Sequence, residues 1–182
     1  MSDKLYIIKS TFNVIRDFAK DIEDDFKEKG NSVHQAFTPS TEAELKRDFD
    51  AIIKDVNTNV VSPMLHLDFH GDTQCFQFEA AETMGWDVLA KELEKLNMVA
   101  NGKLVVTMSI CHGASIIAEC QKLEKQPFQI LIASDENILG RNAYWRMKAF
   151  YEKWIETHNA TVAFEAFDRV QTGAPNNFVM YC

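Results

Sequence analysis

The sequence predicts an α/β fold built on a mostly parallel β-sheet with helices on both faces. Short, almost continuously apolar runs alternate with longer segments whose apolar residues recur at helical spacing, which is the pattern of βαβ units. With 182 residues, of which 46% are hydrophobic and 25% charged, the chain can build one sizeable core. No linker, repeat or low-complexity segment interrupts the pattern, so residues 1–182 are predicted to form a single domain.

The first half of the chain contains three predicted strands and two predicted helices. The strand candidates are residues 4–10 (KLYIIKS), 32–37 (SVHQAF) and 64–69 (MLHLDF). The first helix is predicted over residues 11–30, because apolar residues recur there at helical spacing: Phe12, Ile15, Phe18, Ile22 and Phe26. The second helix, over residues 41–55, follows a helix-start signature in which Ser40 or Thr41 precedes glutamates.

The second half of the chain continues the alternation. Residues 73–80 (TQCFQFEA) predict a small hairpin or an exposed edge strand, and residues 84–97 predict an amphipathic helix. Residues 103–110 (KLVVTMSI) are the most strand-like run. A helix predicted from Ala114 to Pro127 separates them from a strand at 128–136 (FQILIASDE). The remaining predictions are an aromatic helix at 142–159 and strands at 160–167 (ATVAFEAF) and 176–182 (NNFVMYC).

Composition and charge argue against several functions. The net charge of −8 and the lack of a Lys/Arg cluster argue against nucleic-acid binding. The N-terminal apolar run is too short for a signal peptide, and no run approaches the roughly 18 residues of a transmembrane helix. We therefore expect a cytoplasmic protein without membrane association. The four cysteines lack C-x-x-C spacing and are predicted to be free thiols: Cys75, Cys111, Cys120 and Cys182.

Residues at two strand ends point to a catalytic site. His70 and Gly71 follow LHLDF, and Cys111 follows LVVTMSI 41 positions after His70. Ligands of open α/β sheets bind at the carboxyl ends of the strands, where neighbouring strands would bring this histidine and cysteine together. A thiol beside an imidazole is a minimal activated nucleophile, because the base takes the proton and leaves a thiolate. The N–H groups of Gly71 and Cys111 are predicted to form an oxyanion hole.

The order strand, His-Gly, helix, strand, Cys, helix resembles the caspase-like cysteine peptidases of clan CD, most closely their CHAT and separase-related branch. LHLDFHGD resembles that branch's strand ending in His-Gly, LVVTMSICHGAS its strand ending in the catalytic cysteine, and MGWDVLAKEL its tryptophan-containing helix. The resemblance covers about residues 60–140. It implies a caspase-like three-layer αβα sandwich of about six strands and a cysteine-type endopeptidase with Cys111 as nucleophile and His70 as general base. It also suggests a bacterial-defence or regulated-proteolysis setting.

The predicted S1 pocket departs from the caspase pattern. The position two before the nucleophile, often Gln or Asp in caspases and metacaspases, is Ser109, which is small and leaves the pocket open. Asp135 and Glu136 end the next strand, where the resemblance places S1 residues. Carboxylates there would favour Lys or Arg at P1 by charge pairing. Ser109, Asp135 and Glu136 are therefore the predicted substrate-binding residues.

Two alternatives use these residues differently. His66, Asp68 and His70 alternate along the sequence and, with Asp72, form an H-x-D-x-H-x-D string that suggests a metal-dependent hydrolase. On a strand their side chains would stand about 7 Å apart, too far to share one ion without bending, so no metal site is expected, and no cofactor of another kind is predicted. His66 and Asp68 are instead expected to be hydrogen-bonded inside the sheet, with support of the catalytic site by Asp68 as the alternative. His112 is expected to be an exposed loop histidine, with a place in the wall of the cleft as its alternative.

The second alternative is a catalytically silent caspase-like module that binds or regulates. In the peptidase interpretation, the expected partners are a protein or peptide substrate and a regulatory protein or small-ligand activator. Nucleic acid and membrane are not expected as partners.

Overall fold

The computed structural model describes residues 3–10, 18–28, 33–78, 82–173 and 175–182. Within these residues lie the strands β1 (Asp3–Lys9), β2 (Val33–Phe37), β3 (Ser62–Asp68), β4 (His70–Gly71), β5 (Cys75–Gln77), β6 (Thr83–Gly85), β7 (Val105–Ser109), β8 (Ile130–Ser134) and β9 (Phe178–Tyr181). The helices are α1 (Phe18–Glu28), α2 (Glu42–Asn59), α3 (Trp86–Val99), α4 (Ile116–Cys120), α5 (Gly140–Thr157) and α6 (Ala160–Asp168). A 3₁₀ turn at Gly113–Ser115 leads into α4.

Six strands form the main sheet in the order β2-β1-β3-β7-β8-β9, which confirms the predicted α/β class with a mostly parallel sheet. The first five are parallel to one another, and β9 runs antiparallel to β8 at the edge. Parallel neighbours need long crossover connections, and the helices supply them. β3 and β7 are direct neighbours with Asp68 paired to Ser109, so the two strands end at the same edge of the sheet.

Alternate residues of the central strands pack into two hydrophobic clusters. Leu65 of β3 and Val106 of β7 belong to a cluster completed by α2, α3 and α4. Met64 and Val105, their neighbours in the chain, belong to a second cluster with α1, α5 and α6. Successive side chains of a strand point to opposite faces. The two sets of strand side chains therefore meet different helices.

His70 does not extend β3 but opens a small antiparallel sheet, β4-β5-β6. The predicted hairpin after Asp72 is present as the β5–β6 pair. Its side chains Phe76 and Phe78 are buried rather than on an exposed edge. They pack with Phe69 and Trp86, with ring centroids 5.0 to 5.8 Å apart. This aromatic cluster attaches the small sheet to the first residue of α3.

Two sequence-based element predictions are wrong. Residues 160–167, predicted as a strand, lie in α6, where the Asn159 side chain accepts a hydrogen bond from the Val162 N–H and caps the helix. Ala163 and Phe167, one helical turn apart, are fully buried against the α5 cluster, and a short apolar run does not distinguish this pattern from a strand. The helix predicted up to Pro127 is only the five residues of α4, because the chain turns after Cys120 toward β8.

The described helices are amphipathic. α2 and α5, at 18 residues each, both bury one apolar face and carry charged residues on the other. Thr41 caps α2 by accepting a hydrogen bond from the Glu44 N–H, as its helix-start signature predicts. In the part of the chain that the structure describes, none of the helices is long and apolar enough to cross a membrane.

Candidate active site

The segments that follow β3 and β7 meet at one edge of the main sheet. β3 ends at Asp68 and β7 ends at Ser109, its partner in the parallel register, and His70 and Cys111 each follow two residues later. A Cβ atom on Gly71 would lie 2.6 Å from Ile110 Cγ2 and 3.0 Å from the Cys111 carbonyl oxygen. Gly71 therefore lies directly against the cysteine segment, which brings the two predicted motifs together.

The small sheet orients Gly71 at this junction. Across the β4–β5 pair, His70 lies opposite Gln77 and Gly71 opposite Phe76. The Asp72 N–H donates to the Cys75 carbonyl at 2.9 Å. Hydrogen-bonded and non-hydrogen-bonded pairs alternate along an antiparallel ladder, so Gly71 occupies a non-hydrogen-bonded pair and its N–H points away from β5. The side chain of His70, beside it, is exposed.

The thiol of Cys111 is half-buried and contacts the loop that follows β8. The Ile138 N–H donates to Cys111 Sγ with an N···S distance of 3.4 Å, and the Ile138 carbonyl oxygen lies 3.9 Å from the sulfur. A backbone N–H directed at sulfur interacts more strongly with a thiolate than with a neutral thiol. Sequence reasoning missed Ile138, and no signal could have found it, because a backbone donor leaves no trace in the residue type.

Two of the other thiols, Cys75 and Cys120, lie in surroundings that disfavour a thiolate. All four cysteines are free, as predicted. Burial raises the pKa of Cys120 to about 12. Burial also raises the pKa of Cys75, and the nearby Asp72 carboxylate adds to the effect. These cysteines provide internal references for the reactivity of Cys111.

His112 is not the exposed loop histidine that the sequence suggested. Its backbone has φ of +55°, in the left-handed region, and the residue is half-buried. Its N–H donates to the Glu136 carbonyl at 3.0 Å, and its Nδ1 lies 2.8 Å from the Asp135 carbonyl oxygen. Because a carbonyl oxygen only accepts, Nδ1 of His112 carries a proton and is the donor of this hydrogen bond.

The predicted S1 acids lie on the loop after β8, the loop whose Ile138 contacts Cys111. Asp135 and Glu136 are exposed, and their backbone carbonyls are the two acceptors of His112. The Glu136 carboxylate accepts a hydrogen bond from Asn177 Nδ2 at 2.7 Å. Burial raises the pKa of Tyr181, and the Asp135 charge adds to this effect, which places Asp135 toward β9. Both acids therefore belong to the loop that contacts Cys111, while the recorded interactions of their carboxylates are with Asn177 and Tyr181.

Ser109 and His66 belong to a polar network on the α5 side of the sheet. His66 is fully buried, with Nδ1 at 2.9 Å from Thr107 Oγ1 and 3.0 Å from Tyr151 Oη, and Nε2 at 3.4 Å from Ser109 Oγ. Thr107 and Tyr151 also hydrogen-bond each other. Burial lowers the pKa of His66 to about 3, so the ring is neutral, and burial raises the pKa of Tyr151. The half-buried Ser109 therefore connects the sheet edge to the interior.

The H-x-D-x-H-x-D string does not converge on one point. β3 ends at Asp68, so the buried His66 and the exposed His70 do not share a strand face as the metal hypothesis assumed. Asp72 accepts hydrogen bonds from the Gln74 and Cys75 N–H groups, which lower its carboxyl pKa, with a smaller contribution from His112. Across the described ranges, no group of three His, Cys, Asp or Glu could hold a metal ion.

Comparison with models of known protein families finds no match to this sequence, and comparison with curated proteins finds none similar enough to indicate a relationship.

Proposed function

We propose that this chain is a caspase-like cysteine endopeptidase in which Cys111 is the nucleophile and His70 the general base. The observation that carries the proposal is the contact of the His70–Gly71 segment with the Cys111 segment at the carboxyl ends of β3 and β7. The order of β3, His-Gly, α3, β7 and Cys111 is the order on which the resemblance rests.

The proposal extends to the fold. The six-stranded sheet has α2, α3 and α4 in one hydrophobic cluster and α1, α5 and α6 in the other. We assign these helices to the two outer layers of a three-layer αβα sandwich, the arrangement that the caspase-like resemblance implies.

The first half of the reaction forms an acyl-enzyme. The His70 imidazole accepts the proton of the Cys111 thiol, and the sulfur electron pair bonds to the scissile carbonyl carbon. The carbonyl π electrons move to oxygen, and the N–H groups of Gly71 and Cys111 donate to that oxyanion. The intermediate collapses with cleavage of the C–N bond, and the imidazolium gives its proton to the departing amine. A thioester on Cys111 and a free peptide amine result.

The second half of the reaction releases the acid. His70 removes a proton from water, the hydroxide oxygen bonds to the thioester carbon, and a second oxyanion forms at the same donors. Cleavage of the C–S bond returns the thiolate, which regains the proton from His70. In both halves the Ile138 N–H, 3.4 Å from Sγ, is the donor placed to stabilise the sulfur anion.

Substrate preference in this proposal is for a basic P1 residue. Asp135 and Glu136 are exposed on the loop that contacts Cys111, and neither carboxylate forms an ion pair with Lys or Arg among the described residues. A charge-assisted hydrogen bond to Lys or Arg at P1 is the interaction these groups offer a peptide. A regulatory protein or small ligand, and a setting in bacterial defence or regulated proteolysis, enter the proposal through the resemblance alone.

The test is covalent labelling by a peptidyl acyloxymethyl ketone with Arg at P1, mapped by mass spectrometry on the whole chain. We expect Cys111 to label faster than Cys75, Cys120 and Cys182, and His70→Ala to slow it by about 10²- to 10⁴-fold, the usual contribution of a general base. Matched probes with Leu or Asp at P1 measure the charge preference. His158→Ala is the control variant, because His158 is exposed and bonded to Asp3 at the start of β1, the opposite edge of the sheet.

Each outcome separates the candidate functions. Selective labelling of Cys111 that depends on His70 supports the peptidase. If Cys111 labels no faster than Cys75, the peptidase proposal is wrong and the catalytically silent binding module takes its place. Equal labelling by the Arg, Leu and Asp probes would refute the basic S1 pocket while leaving the nucleophile in place.

A further inference from the structure

We infer that His112 is a positioning residue that fastens the loop 134–138 to the nucleophile and thereby sets the P1 specificity. The inference rests on the proposed function for its substrate, because that loop carries the acids Asp135 and Glu136. Its structural content, a clamp between two chain segments, does not depend on peptidase activity.

One residue supplies two donors to consecutive carbonyls of the loop. The His112 N–H donates to Glu136 at 3.0 Å and Nδ1–H donates to Asp135 at 2.8 Å. Both bonds persist when the ring gains a second proton, because Nδ1 is a donor in either state. The turn at Cys111 and the end of β8 are thus joined by a main-chain bond and a side-chain bond from the same residue.

The loop is further shaped at both of its ends. At the start, the buried Ser134 Oγ accepts from the Glu136 N–H at 3.2 Å and donates to the Glu136 carbonyl at 3.1 Å. At the end, the Ile138 N–H reaches Cys111 Sγ at 3.4 Å. The His112 bonds lie between these two contacts. Loss of the imidazole would remove the hydrogen bond to the Asp135 carbonyl. Residues 134–138 could then move, and with them both carboxylates and the Ile138 N–H that donates to Cys111 Sγ.

The left-handed backbone of His112 allows the contribution of its imidazole to be tested by substitution. At φ of +55° most residues with a Cβ are strained, whereas glycine is not, and asparagine and histidine are among the least affected. Such strain persists where surrounding interactions hold the residue in place. The side-chain bond to Asp135 is the interaction that a glycine would lack. His112 therefore differs from a passive turn residue in a way that substitution can measure.

The experiment compares His112→Gly with His112→Asn. Glycine keeps the left-handed backbone and removes the donor, whereas asparagine keeps the backbone and places Nδ2 at the atom position of Nδ1. His158, with φ of 48°, offers the matched control His158→Gly far from the site. Two readouts are taken on the whole chain: hydrogen exchange of residues 134–138, and the ratio of Cys111 labelling by the P1-Arg and P1-Leu probes.

We expect His112→Gly to speed exchange of residues 134–138 and to lower the Arg/Leu labelling ratio, each by about tenfold, the effect of losing one hydrogen bond. His112→Asn should restore both to within about threefold of the wild type. His158→Gly should change neither.

Unchanged exchange in His112→Gly would overturn the clamp. Faster exchange with an unchanged labelling ratio would overturn its role in specificity. If wild-type Cys111 does not react with the P1-Arg probe, the proposed function fails, and the exchange measurement still decides the clamp.

Discussion

Gly71→Ala is the substitution that most directly tests the contact between the two halves of the site. An added Cβ would meet Ile110 Cγ2 at 2.6 Å, the Cys111 carbonyl oxygen at 3.0 Å and the Cys75 carbonyl oxygen at 3.4 Å. Carbon atoms in contact normally lie about 3.5–4.0 Å apart, so the first distance requires a shift of about 1 Å. Ile110 is fully buried and β-branched, so it cannot swing aside. The main chain of the site must move instead.

The change in the free energy of unfolding of Gly71→Ala has two sources, overpacking of the folded state and a lower entropy of the unfolded chain. Forcing an extra carbon into a well-packed position costs about 1–3 kcal/mol. The lower entropy of alanine in the unfolded chain offsets about 0.4–1 kcal/mol of that. We therefore expect the free energy of unfolding to fall by about 1–2 kcal/mol, and Tm by about 2–4 °C for each kcal/mol in a chain of this length.

Gly113→Ala is the matched control on the other side of Cys111. A Cβ there would make ordinary contacts, at 3.4 Å to Met108 and 3.6 Å to Ile110, and Gly113 is not among the glycines with positive φ. Only the lower entropy of alanine in the unfolded chain affects this variant, so it should be as stable as wild type or up to about 1 kcal/mol more stable. Urea unfolding measures both variants. The labelling rate of Cys111 should fall in Gly71→Ala and stay close to wild type in Gly113→Ala.

Equal stability and equal Cys111 labelling in Gly71→Ala and Gly113→Ala would contradict this prediction. The two segments would then not be in the close contact that carries the proposed function. If Gly71→Ala lost stability but Cys111 labelled at the wild-type rate, the steric clash would not affect the thiol, and the Gly71 N–H would not be an oxyanion-hole donor.

Two further predictions concern pH. Burial lowers the pKa of His66 from 6.5 to about 3. Between pH 6.5 and pH 3 the imidazole is therefore protonated in the unfolded state but not in the folded state, so the free energy of unfolding falls as the pH drops below 6.5. When the pH is lowered from 6.5 to 5.0, the free energy of unfolding measured in urea should fall by about 2 kcal/mol more for wild type than for His66→Gln. Equal decreases would contradict a buried neutral ring. Burial, with a smaller contribution from the Glu44 charge, raises the pKa of Asp48 from 3.8 to about 6. The folded state therefore favours the neutral acid, and the contribution of Asp48 to the free energy of unfolding is lost as the pH rises from 3.8 through 6. Asp48→Asn should therefore stabilise the chain by about 1 kcal/mol at pH 7.5, after allowance for solvent screening, and by less at pH 4.5; a constant gain would refute this.

The candidate site was predictable where the residue type carries the chemistry. His70, Gly71 and Cys111 could be found because their side chains, or the lack of one, follow strands that the apolar pattern predicts. The pattern also suggested that these strands are neighbours, and the pairing of Asp68 with Ser109 agrees. The donor from Ile138 could not be predicted, because every residue except proline has the same backbone N–H.

Other parts of the site depended on contacts between distant residues. His66 and Tyr151 are 85 positions apart, so the sequence could suggest a hydrogen-bonded His66 inside the sheet but could not identify Tyr151 as its partner. The two bonds from His112 to Asp135 and Glu136 likewise join segments with no local sequence relationship. A histidine next to Cys111 has the same local sequence whether it is exposed or holds a loop.

The α/β class, the parallel central strands and a helix start at Ser40 or Thr41 could be predicted from the sequence, because these depend on local periodicity and on a side chain bonding to its own turn. Tertiary contacts make residues 160–167 a helix, since Ala163 and Phe167 are buried together against the cluster that includes α5. They also place His70 outside β3 in a second sheet, which the aromatic cluster around Phe76 holds in place. Local patterns fix which faces of a segment are apolar, but only packing between distant segments fixes what each face meets.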